Sequence, residues 1–108
     1  MRRLMFGFLY DALRQQSPCD AVLLVNDQLI PAAAAAVRMA GMTPGREVHL
    51  AGYDHTQGYG APAHGEPVAT IDQDATALGN ALAACVLSRL QHHGAPATAT
   101  VVPPKLIA

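Results

Sequence analysis

Three polar side chains follow short apolar runs that the sequence predicts to be strands. Asn26 comes after the run that ends at Val25, and Asp54 after the run that ends at Tyr53. Gln73 follows a third run. Ligands of open α/β sheets bind beyond the carboxyl ends of the strands. A carboxylate accepts hydrogen bonds and a carboxamide both donates and accepts, so Asp54 with Asn26 could hold a polyol.

The same residues also have a purely structural interpretation. Asn26 and Asp27 can cap the helix that follows them, because a short side-chain oxygen accepts a hydrogen bond from a free helical N–H. Asp54 can start a turn, and Gln73 can be a helix-entry residue with no ligand. Spacing alone leaves both interpretations open.

Catalysis and metal binding find little support in the sequence. No G-x-S-x-G motif is present, and Asp72 and Asp74 are better explained as helix caps than as an acid–base pair. The five histidines lack the spacing that makes a zinc site specific. We therefore expect a protein that is not an enzyme, with no metal site and no cofactor.

Composition narrows the class of protein further. The 108 residues suit one small domain, and 51% apolar with 14% charged residues indicates a globular chain. A net charge of −1 with seven scattered Lys and Arg argues against binding of nucleic acid by this chain. No apolar run reaches the ~18 residues of a membrane helix. Two cysteines in unrelated contexts favour a cytosolic protein, with Cys85 as a small core residue.

The first half of the chain predicts helix, strand, helix and strand. In the first helix one face carries the apolar residues Leu4, Phe8, Leu9, Ala12 and Leu13, and we expect this face to pack beside the first strand. The first strand is a continuous apolar run, as is typical of a strand covered on both faces. The predicted elements are a helix over 3–16, a strand over 21–25, a helix over 28–40 and a strand over 49–53.

The second half begins with a loop over 55–67 that is rich in Gly, Pro and His. A long helix with apolar residues at helical spacing lies between two shorter segments rich in β-branched residues. The predicted elements are a strand over 68–71, a helix over 75–92, a strand over 98–102 and a last short strand or crossing segment over 105–107.

Four motifs occur in a characteristic order: VND with a small-residue helix and AG, then HLAGYD, then PVATIDQD, then VVPPKLI. Together they resemble the carboxy-terminal half of the sensor domain of the LacI/GalR family of bacterial transcription regulators. That sensor is similar to the periplasmic sugar-binding proteins. The resemblance covers residues 7–107 and implies an α/β fold, a parallel sheet flanked by helices, with the amino-terminal lobe largely missing.

The resemblance also implies which residues bind a ligand. Family members close two lobes on a small effector, usually a sugar or a nucleobase. The cleft positions of the family correspond here to Asn26, Asp54 and Gln73, and the residue near the first helix that reaches the cleft corresponds to Arg2. The helix after VND commonly lines the dimer interface. The corresponding positions are Leu29, Ala33 and Val37.

The resemblance also suggests a division of the chain. The expected parts are a carboxy-terminal lobe over 1–55, a loop over 56–67, a segment over 68–102 that packs on the other lobe in the family, and a return crossing over 103–108. The family's helix-turn-helix and the first half of its sensor are not found in this sequence. The long helix and the strand over 98–102 must therefore repack on the remaining lobe, pack across a dimer, or stay exposed.

Three functions remain open at this point. The chain could be the effector-sensing and dimerisation fragment of a LacI/GalR-type regulator, cytoplasmic, homodimeric and without its own contact to DNA. It could instead be a fragment of a periplasmic sugar-binding protein of a transport system. The third possibility is a module that only dimerises.

Overall fold

The computed structural model describes all 108 residues and has a mixed α/β architecture, which confirms the predicted fold class. The helices are α1 (Arg2–Leu13), α2 (Ile30–Met39) and α3 (Ala75–Gln91), and the strands are β1 (Ala21–Leu23), β2 (His49–Tyr53), β3 (Val68–Asp72) and β4 (Lys105–Ile107). Single 3₁₀ turns precede α2 and follow β2. The predicted bounds of β2 match the structure.

The four strands form one sheet in the order β1-β2-β3-β4. The first three run parallel, and β4 is antiparallel to β3. Leu23 pairs with Ala51, and Tyr53 pairs with Ile71. Since parallel strands in register end together, the carboxyl ends of β1, β2 and β3 share one edge of the sheet, which we call the rim.

The connection from β1 to β2 is a helical crossover that begins with a cap. The Oδ1 atom of Asn26 accepts a hydrogen bond from the backbone N–H of Gln28 at 3.1 Å, and a 3₁₀ turn leads into α2. Pro31 lies in the first turn of α2, where its missing N–H costs nothing. The helix ends before Gly41, whose φ of 82° is the left-handed conformation that suits glycine.

The hydrophobic core lies on one side of the sheet, between the strands and the pair of helices α1 and α2. Eleven buried apolar residues form it, and all of them fall between positions 9 and 50 of the chain. Its fully buried large side chains are Ile30, Val37 and Val48. Alanines of α2 let the helix approach its neighbours closely. The core residues are Leu9, Leu13, Leu24, Leu29, Ile30, Ala33, Ala34, Ala36, Val37, Val48 and Leu50.

The predicted inner face of α1 is partly wrong. Leu9 and Leu13 are buried, but Leu4 and Phe8 are 80% and 79% exposed. The helix packs mainly on α2, not beside β1. Apolar residues surround most of α1, so the sequence pattern could not select the stripe that faces the core.

The prediction that β1 is covered on both faces is also wrong. Leu23 and Val25 are 73% and 72% exposed, because no helix lies on the side of the sheet opposite α1 and α2. We call this side the bare face. It carries apolar side chains at alternate positions of the three parallel strands.

The segment 75–104, here called the arm, projects from the rim, while residues 1–72 and 105–108 form the body. No residue of α3 is buried, and Leu82, Val86, Leu87 and Leu90 remain 58–65% exposed. The molecule measures 60 × 24 × 21 Å with a radius of gyration of 18.7 Å. A compact domain of this length has a radius of gyration of about 13 Å. Of the three outcomes foreseen for this segment, the structure of the single chain excludes repacking on the remaining lobe.

Two predictions for the arm fail for the same reason. Residues 98–102 form no strand, because no neighbouring strand pairs with their backbone. Cys85 is an exposed free thiol and not a core residue. The expected division of the chain stays a prediction, and β3 at the start of its segment 68–102 pairs with β2 inside the body. The body gives way to the arm after β3, at residues 73–74.

The predicted dimer-interface residues occupy the core. Leu29 is 7% exposed, and Ala33 and Val37 are 0% exposed. Their side chains pack inside this chain, so they cannot be the surface that a second copy touches. The alanine-rich face of α2 is an internal packing face instead. No helix of the structure has the length and apolar character that crossing a membrane requires.

Candidate functional site

Asp54 and Gln73 meet at the rim, as predicted. Asp54 directly follows β2 and its backbone N–H donates to the carbonyl of Ile71 at 2.8 Å, which ties it to β3. The Nε2 amide of Gln73 donates a hydrogen bond to Asp54 Oδ1. Both side chains are half-buried. Residues that lie 19 positions apart therefore form one polar pair, with Asp54 Oδ2 and Gln73 Oε1 available as further acceptors.

Asn26 lies at the same rim, after the end of β1, and is half-buried. Its Oδ1 atom is occupied by the cap to Gln28, so the structural interpretation holds for this oxygen. Its side-chain NH₂ donates to no group of the chain. The structure does not join Asn26 to Asp54 or Gln73 by a direct hydrogen bond, and a ligand between them would have to bridge the gap.

The backbone bends sharply where β2 ends. Asp54 and His55 have φ values of 84° and 44°, both in the left-handed region. Asp and His tolerate this region better than most residues, although non-glycine residues there still cost about 1–3 kcal/mol. The neighbouring contacts hold this bend in place and direct the chain from β2 back over the rim.

A buried carboxylate supports the bend from below. Asp27 is 4% exposed and accepts a hydrogen bond from the hydroxyl of Thr70 at 2.8 Å and from the backbone N–H of Thr56 at 3.2 Å. The hydroxyl of Thr70 in turn accepts from the N–H of His55 at 3.3 Å. Asp27 therefore connects the end of β1 to β3 and to the turn after β2.

Gly52 makes room for this carboxylate. A Cβ atom at position 52 would lie 1.9 Å from Asp27 Oδ1, far inside van der Waals contact. Only glycine therefore lets the Asp27 side chain cross over β2 to reach Thr70. The glycine of the GYD motif is explained by the aspartate of the VND motif.

A second polar group joins the arm to the body; we call it the joint, and it consists of Tyr59, Asp72, Asp74 and Lys105. The hydroxyl of Tyr59 donates to Asp72 Oδ1 at 2.7 Å and accepts from the N–H of Ala75 at 2.9 Å. The hydrogen bond between Tyr59 and Asp72 raises the pKa of Tyr59 and lowers the pKa of Asp72. Tyr59 thus links the loop after β2 to the first residue of α3.

The other half of the joint lies beside β4. Asp74 caps α3, accepting from the N–H of Ala77 at 3.1 Å, which confirms its predicted role as a cap. Lys105 Nζ donates to Asp74 Oδ2 at 3.1 Å. The backbone hydrogen bond from Ala77, followed by the contact with Lys105, lowers the pKa of Asp74, while the bond to Asp74 raises the pKa of Lys105. This pair connects the chain leaving the body to the chain returning to it.

Arg2 does not join the polar pair. It is exposed at the start of α1 and lines a cavity of about 220 Å³ together with Gln28, Thr56 and His64. Neither Asn26, Asp54 nor Gln73 lines that cavity. Arg2 therefore lies apart from the three rim residues, and the structure does not support the ligand-binding role implied for it.

The sequence did not predict the hydrogen bonds of Asp27 beneath the rim or those of the joint. Thr70 carried a usable signal, since it is a polar residue at a position of β3 that alternation assigns to the core, and buried polar groups need partners. For Asp27 the sequence indicates only a role as a helix cap. Tyr59 lies in a segment interpreted as loop alone, and nothing in the sequence pairs it with Asp72.

A family model described as a periplasmic binding protein-like domain matches residues 2–108. The chain belongs to this family. The solved structures that are similar to the chain include LacI-family regulators. They confirm that its motifs resemble the sensor domain of LacI/GalR regulators. Comparison with curated protein sequences gave no match.

Solved structures of two kinds are similar to the chain. The lac repressor dimer bound to operator and the anti-inducer ONPF aligns with a TM-score of 0.78 and 25% identity over 95% of this chain. A Caulobacter myo-inositol binding protein bound to myo-inositol aligns with a TM-score of 0.75 and 25% identity over 98% of this chain. The structures that are similar to the chain thus include a regulator and a binding protein.

A third structure extends the comparison of the fold. A LacI-family transcriptional regulatory protein from Corynebacterium glutamicum aligns over 100% of this chain with a TM-score of 0.74 and 22% identity. The chain spans 35%, 36% and 41% of the lengths of these three proteins, in the order given. It therefore matches a little over a third of each relative.

Proposed function

We propose that the chain is the effector-sensing and dimerisation part of a LacI/GalR-type transcriptional regulator that binds a small sugar or related polyol. The observation that carries this proposal is the contact between Gln73 and Asp54 at the rim of a parallel sheet. In such sheets ligands bind beyond the carboxyl ends of the strands. Relatives solved with ONPF and with myo-inositol support a ligand of this kind.

The chemistry of the rim suits vicinal hydroxyl groups. Asp54 offers an acceptor oxygen that Gln73 does not use, Gln73 offers its own carbonyl oxygen, and Asn26 offers a free NH₂. A polyol hydroxyl both donates and accepts, so it can bridge a carboxylate and an amide. The pair Asp54–Gln73 is already oriented before a ligand arrives, which reduces the entropic cost of binding.

We do not expect this chain to bind DNA directly. The chain has seven Lys and Arg, and these do not form a basic patch in the sequence. Proteins that hold duplex DNA neutralise several phosphates with clustered basic side chains. Contact with an operator would come from a helix-turn-helix elsewhere in a regulator, and we expect such a regulator to act in the cytoplasm.

The alternative function is that of a sugar-binding component of a transport system. The similarity to the myo-inositol binding protein equals that to the lac repressor in sequence identity, so identity does not separate the two. The DNA upstream of the Met1 codon would separate them. An open frame that encodes a helix-turn-helix supports the regulator, whereas a signal peptide there supports the transporter.

Isothermal titration calorimetry tests whether the chain binds an effector. The chain is titrated with a panel of galactosides, other sugars, myo-inositol and purines. We expect heat with at least one member, and a loss of affinity of about 10- to 100-fold in Asp54→Ala, since a hydrogen bond to a charged group contributes about 1.5–3 kcal/mol. The oligomer size of the variant should not change.

Asp20→Ala is the matched control. Asp20 is exposed and precedes β1, at the opposite end of the strand from the rim. Its removal should leave the affinity unchanged. Absence of heat with every ligand, from a chain shown by circular dichroism to be folded, would contradict effector binding and leave a module that only dimerises.

A further inference from the structure

Gln73 lies in the short link between β3 and α3, where no regular secondary structure fixes it. The link consists of Gln73 and Asp74. Asp74 has φ and ψ of 56° and 65°, in the left-handed region that non-glycine residues seldom adopt. A glutamine side chain also has several rotatable bonds, whose freedom is lost when it stays at the rim. The contact between Gln73 and Asp54 therefore needs support from the residues around the link.

The hydroxyl of Tyr59 makes contacts on both sides of Gln73. It donates to Asp72 Oδ1 at 2.7 Å and accepts from the backbone N–H of Ala75 at 2.9 Å. Asp72 Oδ1 also accepts from the backbone N–H of Asp74 at 2.8 Å. These hydrogen bonds join the residue before Gln73 to the two residues after it, so the main chain of Gln73 is enclosed by them.

The segment that carries Tyr59 also holds the side chain of Gln73. Asp54, which accepts from Gln73 Nε2, begins the segment 54–59 after β2, and Tyr59 ends it at the close of a 3₁₀ turn. The first residue of this segment therefore contacts the side chain of Gln73. Its last residue contacts the main chain on either side of Gln73.

Contacts of its own fix this segment. The backbone N–H of His55 donates to the hydroxyl of Thr70 at 3.3 Å. The imidazole of His55 lies over Gly58, where an added Cβ would be 2.3 Å from its Cδ2 atom. The same imidazole meets the ring of Tyr59 edge to face, with 6.4 Å between the ring centroids. The ring of Tyr59 is thus held in place although 45% of the residue is exposed.

We propose that Tyr59 is a positioning residue of the effector site, whose hydroxyl fixes the main chain around Gln73 so that the Gln73 amide stays on Asp54. Tyr59 acts through Asp72 and Ala75, not by contact with the effector. The effect on affinity rests on the proposed function, because an amide that is already in place lowers the entropic cost of binding a polyol.

A role in stability alone would have a different result. Tyr59 lies outside the hydrophobic core, so the loss of its hydroxyl should act locally. If the hydroxyl only stabilised the fold, its removal would lower the melting temperature and leave the contact between Gln73 and Asp54 as it is. If it positions Gln73, that contact weakens while the core is unchanged.

Solution NMR of the Gln73 side-chain amide in the ligand-free chain tests the proposal. The Nε2 signals are assigned by their absence in Gln73→Ala. Tyr59→Phe keeps the ring and removes the hydroxyl. The Nε2 proton bound to Asp54 should then exchange with water about fivefold faster or more, because the contact opens more often.

Tyr10→Phe is the matched control, since it removes a hydroxyl that accepts a hydrogen bond from Arg14 elsewhere in the chain. It should leave the Gln73 signals unchanged. Equal changes of these signals in both variants would indicate a general loss of stability and would overturn the proposal.

Two substitutions of Asp72 test the path from Tyr59 to Gln73. Asp72→Asn keeps an oxygen that can accept from both Tyr59 and Asp74, so the Gln73 signals should stay close to those of the unmodified chain. Asp72→Ala removes this oxygen and should resemble Tyr59→Phe. Because both changes break the same contacts, the double variant should show less than the sum of the two single effects.

Calorimetry with myo-inositol, the ligand of one similar structure, measures the consequence for binding. Tyr59→Phe should bind this probe about 3- to 10-fold more weakly than the unmodified chain, and Tyr10→Phe should bind it equally well. An unmodified chain that binds no myo-inositol would count against the proposed function, and the NMR comparison would then decide the role of Tyr59 by itself.

Two further outcomes would overturn the proposal. One is an unchanged exchange rate of the Gln73 amide in Tyr59→Phe, in a variant that circular dichroism shows to be folded. The other is equal affinity of Tyr59→Phe and the unmodified chain for myo-inositol. If Tyr59→Phe does not fold, the comparison of Asp72→Asn with Asp72→Ala decides, and identical Gln73 signals in these two variants would exclude the path through Asp72.

Discussion

Asp27 shows how one buried carboxylate can organise a binding rim. It receives hydrogen bonds from Thr70 and Thr56, which lie on two different segments, and it needs the missing side chain of Gly52 to reach them. Hydrogen bonds to a buried charged group are stronger than those between neutral groups, and loss of a partner leaves the charge unsatisfied. The position of Asp54 at the rim therefore depends on a side chain that is buried beneath it.

Gly52→Ala tests this dependence. The added Cβ would meet Asp27 Oδ1 and displace the carboxylate, and we expect a loss of about 1–3 kcal/mol in the free energy of unfolding. That loss corresponds to a fall of several degrees or more in the melting temperature measured by circular dichroism.

Gly7→Ala is the control for Gly52→Ala. Gly7 lies inside α1, and a Cβ there would meet nothing within 4 Å. Because alanine is the better helix former, this variant should gain about 0.5–1 kcal/mol. Equal effects of the two substitutions would show that steric contact with Asp27 is unimportant.

At the scale of elements, the joint decides where α3 points. A single hydroxyl, that of Tyr59, contacts both the last residue of β3 and the first residue of α3. All four side chains of the joint are at the surface, so water competes with these contacts and each one contributes little to stability. Their effect is on direction, since they limit the angles that residues 73–74 can adopt.

Tyr59→Phe should raise the pKa of Asp72 towards its ordinary value, because the hydrogen bond from Tyr59 is the largest cause of the lowered pKa. A carboxyl whose pKa is lowered by folding stabilises the folded state above its ordinary pKa of about 3.9 and loses that contribution as the pH falls through the lowered value. Carboxyl ¹³C shifts measured against pH report the change.

Tyr10→Phe is the control for this titration. Tyr10 on α1 accepts a hydrogen bond from Arg14, the residue after the helix, far along the chain from Asp72. The titration of Asp72 should be the same in this variant as in the unmodified chain. An unchanged pKa in Tyr59→Phe itself would show that the contact between Tyr59 and Asp72 is not formed in solution.

For the whole molecule, local sequence signals predicted where helices and strands begin and end. They predicted less well which of these elements are buried. Apolar runs and caps gave the bounds of β2 and the start of α3 after Asp74, because these depend on nearby residues. The strand expected over 98–102 did not form, because a strand needs a partner that no local pattern supplies. The exposure of Cys85 likewise depends on what α3 packs against.

The candidate site was predictable only in part. The order of the strands follows from the pattern of alternating strands and helices. Because this order puts the ends of β2 and β3 side by side at the rim, Asp54 lies beside Gln73. The contact between Asp27 and Thr70 joins residues 43 positions apart, and the side chains that meet across such a distance cannot be read from spacing. The burial of Val37 could not be separated from an interface role, since both require small apolar residues.

Hydrogen exchange tests the molecule as a whole. Unpacked helices of this length are marginally stable in water, so the amides of α3 should exchange at least 100-fold faster than those of α2 when the chain is diluted to a monomer. Equal protection of both helices at high dilution would contradict an unpacked arm.

The confinement of the core to positions 9–50 has a consequence for synthesis. Ribosomes extend a chain from its amino terminus, and early segments can fold as they emerge. Every core side chain, with α1, α2, β1 and β2, has been translated before the codons of α3 are read. The nascent chain can thus form its core first, and the residues synthesised later do not compete with core residues for buried positions.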